Sequence, residues 1–181
     1  MLLEYFKKNN ESAILTSEPT NGPVGQIIRL GMAKRLNFSA NSENFDKQMA
    51  YLFAADRFDH LYNDTNGIIN SLAHSHVIST RYYFSSYAYH CKLGEYDFVK
   101  KLNEFFPEPD YLIYLDISPK DAVKRLAQRV YTEAYETEEK LSRVRMVYND
   151  IFKKYTNRII LLDATHPMHK IHEEIVQFVT S

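Results

Sequence analysis

Apolar positions along the chain fall into two alternating kinds of run. Four runs are short and almost continuous: residues 12–16 (S-A-I-L-T), 76–80 (H-V-I-S-T), 111–116 (Y-L-I-Y-L-D) and 158–163 (R-I-I-L-L-D). Uninterrupted apolar stretches of this length are the pattern of strands covered on both faces. Between them the apolar residues recur at helical spacing. Leu2, Leu3, Tyr5 and Phe6 precede Lys7-Lys8-Asn9-Asn10, a cationic and Asn-terminated end that reads as the last turns of a helix. A loop holding Pro19, Gly22, Pro23 and Gly25 leads into a helix over about 24–35. Phe45, Met49, Leu52, Phe53 and Leu61 predict a helix over 43–62, and a turn at 64–67 leads through a short helix to Ala73. Phe98, Val99, Leu102, Phe105 and Phe106 predict another over 96–106, stopped by Pro107 and Pro109. Ser118-Pro119-Lys120-Asp121 is a helix start with Ser as cap, and that helix is expected to run through Arg125 and Arg129. Helices over 138–155 and 169–179 complete the set.

Strands alternating with helices predict an α/β fold, a parallel sheet covered by helices on both faces. No internal repeat or composition break divides the chain, so residues 1–181 are expected to form a single domain.

Charge and composition narrow the function more than the fold. Twenty-two Lys and Arg against 23 Asp and Glu give a net charge of -1, which offers no basic face for nucleic acid. No apolar run approaches a membrane span, and the amino terminus lacks the apolar core of a signal peptide. The single cysteine, Cys91, fits a reducing compartment, so the expected location is the cytoplasm, without membrane or nucleic-acid partners. Seven histidines include the pairs His74/His76 and His169/His172, yet no carboxylate or cysteine stands at ligand spacing beside them, and no metal site is expected.

One stretch concentrates chemistry. In residues 77–91, V-I-S-T-R-Y-Y-F-S-S-Y-A-Y-H-C, a strand breaks into Arg81, two serines and several tyrosines. Ligands gather outside the carboxyl ends of strands in open α/β sheets, so Arg81 is placed to grip a phosphate; the alternative is a surface arginine beside a tyrosine-rich helix start. Phe53, Arg57 and His60 fall at i, i+4 and i+7, which sets a ring, a guanidinium and an imidazole along one helical stripe.

Four segments, in order, resemble the thymidylate kinase family. They are residues 17–29 (S-E-P-T-N-G-P-V-G-Q-I-I-R), 52–60 (L-F-A-A-D-R-F-D-H), the Arg81-Tyr82…Ser85-Ser86…Ala88-Tyr89 pattern, and 109–116 (P-D-Y-L-I-Y-L-D). The resemblance spans nearly the whole chain. It implies a P-loop nucleoside monophosphate kinase fold, transfer of the ATP γ-phosphate to dTMP in dTTP synthesis, Mg²⁺ as the accompanying ion, and a homodimer. By the same resemblance Phe53 stacks on thymine, and Arg57 binds the monophosphate with Arg81 as a second clamp. Ser85, Ser86, Tyr89 and His90 line the nucleoside side, and the loop with Glu18 and Pro19 closes over the monophosphate. Arg125 and Arg129 lead into a lid over residues 130–136 at the ATP phosphates, and Ala164 and Thr165 lie near the adenine.

The sequence departs from the family in one large respect. The glycines are Gly22, Gly25, Gly31, Gly67 and Gly94, and no pair fits G-x-x-x-x-G-K-[ST]. In the family that loop follows the first, central strand, so the expectation is a fold whose first strand and P-loop are missing, with strands beside the gap left unpaired. Such a loop supplies backbone N–H donors, a lysine on the phosphates and a hydroxyl on Mg²⁺. Three readings therefore stand: an enzyme whose loop lies upstream of these residues, a non-catalytic dTMP-binding or partner subunit, or a fragment that needs a separate amino-terminal piece. Thr80 stands where the family has Asp before its arginine, Ser17 where many members have Arg, and His90 where the family has Gln.

Overall fold

A computed structural model describes residues 1–36, 38–127 and 137–181. The chain alternates helix and strand as its pattern predicts. α1 (Leu2–Lys8) ends at Asn9 and Asn10, where Asn10 turns the backbone with φ of 61°, a conformation Asn tolerates. β1 (Ala13–Thr16) follows, then α2 (Pro23–Met32), with Pro23 at the position where its missing N–H costs nothing. α3 (Ser42–Tyr62) is capped by Asn41, whose side chain accepts from Asn44 N, and α4 (Ile68–Leu72) leads to β2 (His76–Ser79). α5 (Phe84–His90) and α6 (Asp97–Asn103) precede β3 (Leu112–Asp116).

α7 (Pro119–Leu126) starts as predicted. Ser118 accepts from Asp121 N at 3.1 Å and donates to Asp121 Oδ2 at 2.7 Å. The helix ends at Leu126, with Ala127 as its carboxyl cap, short of the expected extension. Arg129 and the lid segment expected over 130–136 lie outside the described residues. α8 (Glu138–Lys153), capped by Thr137, then β4 (Ile159–Asp163) and α9 (Met168–Val179) complete the order.

All pairing among the described strands is parallel, as the α/β pattern requires, but the sheet is divided. β1 pairs with β2 and β3 with β4, giving two two-stranded sheets. His76 N donates to Ser12 O and Thr80 N to Thr16 O, so even-numbered β2 residues bond toward β1. The backbone groups of Val77 and Ser79 therefore face the other way. Likewise Leu112 N donates to Arg158 O and Ala164 N to Asp116 O, which turns the groups of Ile113 and Leu115 away from β4. Both open edges line one cavity of about 1850 Å³ between the two sheets.

The core gathers around the short α5. Phe84 and its cap Tyr83 pack on Phe152 of α8, and Ala88 packs on Val144 and Val147. Cys91, beyond the end of α5, closes on Ala50 of α3 and Val99 of α6. Tyr87 packs against all three groups, so α3, α6 and α8 are located relative to one another through α5. That arrangement brings one face of α3, the start of α5 and one face of α8 onto the cavity wall.

Candidate functional site

The cavity between the sheets collects most of the residues singled out from the sequence. Glu18, Pro19, Phe53, Arg57, Arg81, Ser85, Ser86, Tyr89, His90 and Arg125 all line it. Ala164 and Thr165 do not. They follow β4, where Arg125 Nη2 donates to Ala164 O at 2.9 Å and Thr165 N donates to Asp163 Oδ1 at 2.8 Å.

The stripe on α3 forms, but its arginine points into the protein. Arg57 is 1% exposed, although arginine is rarely buried without a partner. Its Nε and Nη2 donate to Glu18 Oε2 at 2.9 and 2.6 Å, and its Nη1 donates to Asn103 Oδ1 of α6 at 2.5 Å. Asn103 is held in turn by donating to Val99 O at 2.7 Å. Rings of Tyr82 and Phe106 lie 5.5 and 5.6 Å from the guanidinium carbon. His60 adds Nδ1 at 3.3 Å from Glu18 Oε1 and Nε2 at 2.5 Å from Thr16 Oγ1.

The neighbouring Asp56, also 1% exposed, fastens the same loop from the next position. It accepts from Thr20 N at 2.8 Å and from Thr20 Oγ1 at 2.6 Å. Arg29 Nη2 reaches Pro19 O at 2.5 Å. Gly25 lets α2 approach closely, because a Cβ there would sit 2.0 Å from Thr20 O. The loop expected to close over substrate is thus already bound to α2 and α3 at Glu18, Pro19 and Thr20.

Phe53 sits against His90, with ring centroids 5.3 Å apart and planes at 38°. Burial, helped by the nearby charges of Lys140 and Arg57, pushes the His90 pKa down to about 3, so its imidazole is neutral at physiological pH. Ser86 is 1% exposed, and its hydroxyl has no hydrogen-bond partner among the described residues. The Phe53 and His90 rings therefore form one wall here, with the Arg57 guanidinium also lining the cavity.

Arg81 also lines the cavity, on the exposed stretch after β2. Its guanidinium carbon is 5.3 Å from the Tyr89 ring, and Nη1 is 3.5 Å from Ser85 Oγ. Two groups that the sequence reading missed complete the wall. Arg145 of α8 donates through Nε and Nη2 to the two oxygens of Asp116, at 2.7 and 2.6 Å, and Tyr148 OH is 3.0 Å from Ser85 Oγ. The hydrogen bonds from Arg145 hold the Asp116 carboxyl below the usual carboxylate range. The position of Asp116 at the carboxyl end of a strand was the available signal, because side chains there face the ligand crevice. Among the described residues no group of three or more His, Cys, Asp or Glu converges, and no helix is long and apolar enough to cross a membrane.

The geometry is a ring-walled slot opening toward arginines at strand and helix ends. The thymidylate kinase family model matches residues 1–175. The chain belongs to the thymidylate kinase family. Its matches to individual thymidylate kinase relatives cover most of the chain. It is 32% identical over 173 residues to the probable thymidylate kinase of Methanococcus aeolicus, covering 92% of this chain and 82% of that protein. It is 31% identical over 188 residues to the probable thymidylate kinase of Thermococcus onnurineus, covering 99% and 88%. The P-loop NTPase fold of the thymidylate kinase family accounts for the parallel strands and covering helices seen here.

Proposed function

We propose that this protein binds dTMP in the cavity between the two sheets and acts as a thymidylate kinase, taking the γ-phosphate of ATP to give dTDP. The observation that carries the reading is the gathering of Phe53, Arg57 and Arg81 in one cavity of a chain of this family. Thymine lies against Phe53 and the neutral His90, with Ser86 Oγ beside its polar edge. Arg57 already carries Glu18, and a dianionic phosphate beside that buried carboxylate is repelled, so Arg57 meets an uncharged edge of the nucleoside. That shifts the monophosphate to Arg81, with Ser85 and Tyr89 beside it. Glu18 and Pro19 act by fixing the loop and Arg57 rather than by folding over the substrate.

On the donor side, Arg125 and Arg129 are proposed to meet the phosphates of ATP, with the backbone at Ala164 and Thr165 near the adenine. Phosphoryl transfer needs in-line positioning and cations for the developing charge, and Arg125, which lines the cavity, offers such a cation. The described residues do not make a Mg²⁺ site by themselves: no trio of ligands converges, and Asp116 is committed to Arg145. Mg²⁺ enters with ATP. An exposed apolar stripe on α3, with Tyr51, Phe58 and Tyr62, supports a homodimer, and the free Cys91 supports a reducing cytoplasm.

The test is conversion of dTMP and labelled ATP·Mg²⁺ to dTDP by the purified protein. Formation of dTDP that falls when Phe53 or Arg81 is replaced by Ala supports the kinase. Tight dTMP binding with no dTDP replaces it with a non-catalytic dTMP-binding subunit.

A further inference from the structure

We infer that Tyr148, on α8, is a positioning residue for the monophosphate: through Ser85 it holds the Arg81 guanidinium ready for an anion. The inference rests on the proposed placement of the dTMP phosphate at Arg81. Tyr148 OH and Ser85 Oγ are 3.0 Å apart, and Arg81 Nη1 lies 3.5 Å from the same Ser85 oxygen, the outer edge of hydrogen-bonding distance. A guanidinium only donates, so Ser85 Oγ accepts from Arg81. Burial raises the Tyr148 pKa, which keeps its phenol protonated and able to donate to the same oxygen. Ser85 then retains its own proton for the phosphate, and one serine couples a helix-borne phenol to the arginine.

The phenol is itself rigid. Its ring stacks on Phe152 at 5.4 Å and 23° and leans on Tyr114 of β3 at 5.2 Å. One turn earlier on the same helix, Arg145 is clamped to Asp116 at the end of β3. α8 is therefore tied to a strand end one turn from Tyr148. An exposed arginine otherwise loses rotamer freedom when it binds phosphate, and a guanidinium already held by Ser85 loses less.

The experiment is isothermal titration of dTMP and of thymidine, which lacks the phosphate, into wild type, Tyr148→Phe, Ser85→Ala and the double variant. Tyr148→Phe keeps the ring and its packing. The expected result is dTMP binding weakened about fivefold by Tyr148→Phe, the loss of one hydrogen bond, with thymidine affinity unchanged. In the Ser85→Ala background the same change is expected to have less than about a twofold effect, because the link is already cut. An equal loss for dTMP and thymidine would show a loosened pocket and overturn the positioning role. So would unchanged dTMP affinity in Tyr148→Phe while Arg81→Ala still weakens it. If Arg81→Ala leaves dTMP binding unchanged, the phosphate placement itself fails, a separate outcome.

Discussion

Glu18 Oε2 accepts from both Nε and Nη2 of Arg57, 39 residues away, in a pair whose side chains are 2% and 1% exposed. A charge this deeply buried depends on its partner more than the fold depends on the pair. Glu18→Ala, which strands the guanidinium, is expected to lower stability by about 3–5 kcal/mol. The double variant Glu18→Ala, Arg57→Met is expected to lose less than the single one. Chemical denaturation of the three proteins checks both statements.

Asp116 and Arg145 make a pair of similar lengths, but their side chains are 30% and 39% exposed. Solvent screening makes that pair weak, so Asp116→Asn is expected to change stability by less than about 1 kcal/mol. The Asp116 pKa is lowered in the folded state. Its contribution is present above the ordinary carboxylate range and is lost as pH falls through the depressed value, so it adds no slope near neutrality. Urea melts at pH 7 and at pH 3.5 measure both effects.

His90 sets the opposite pH window. Its pKa falls from an ordinary 6.5 to about 3 on folding, chiefly through burial. Between those values the unfolded chain binds a proton at this site that the folded chain does not, so stability rises with pH up to about 6.5 and is flat above it. The expected slope from this site is at most about 1.4 kcal/mol per pH unit, and His90→Gln removes it. Denaturation midpoints from pH 4.5 to 8, compared between wild type and variant, isolate it from the other histidines.

Arg81→Ala is expected to weaken dTMP binding by about 1.5–3 kcal/mol, the range for a hydrogen bond to a charged group. Titration calorimetry reads it directly. Stability should stay within about 0.5 kcal/mol of wild type, since the side chain is on the surface.

The local signals in the sequence were enough for the elements and not for their connections. The cap at Ser118 and the four strands each follow from a few adjacent residues, whereas α6 ends at Asn103, ahead of the stop expected at Pro107. The pairs that shape the site do not. Arg57 meets Glu18 and Asn103 across 39 and 46 positions, and Ser85 meets Tyr148 across 63. Nothing in a helical stripe says whether its arginine faces solvent, substrate or a buried carboxylate. α5 is seven residues long, too short for a helical period to register, yet the core is built around it. Which strands pair depends on contacts between distant segments and not on either run of residues, so the division into β1–β2 and β3–β4 could not be read from the strands themselves.

The most direct measurement is calorimetric titration of the purified protein with dTMP and, separately, with thymidine. The account predicts saturable dTMP binding at one site per chain, with thymidine at least about tenfold weaker because Arg81 has no phosphate to hold. Equal affinities, or no dTMP binding by the folded protein, would contradict it.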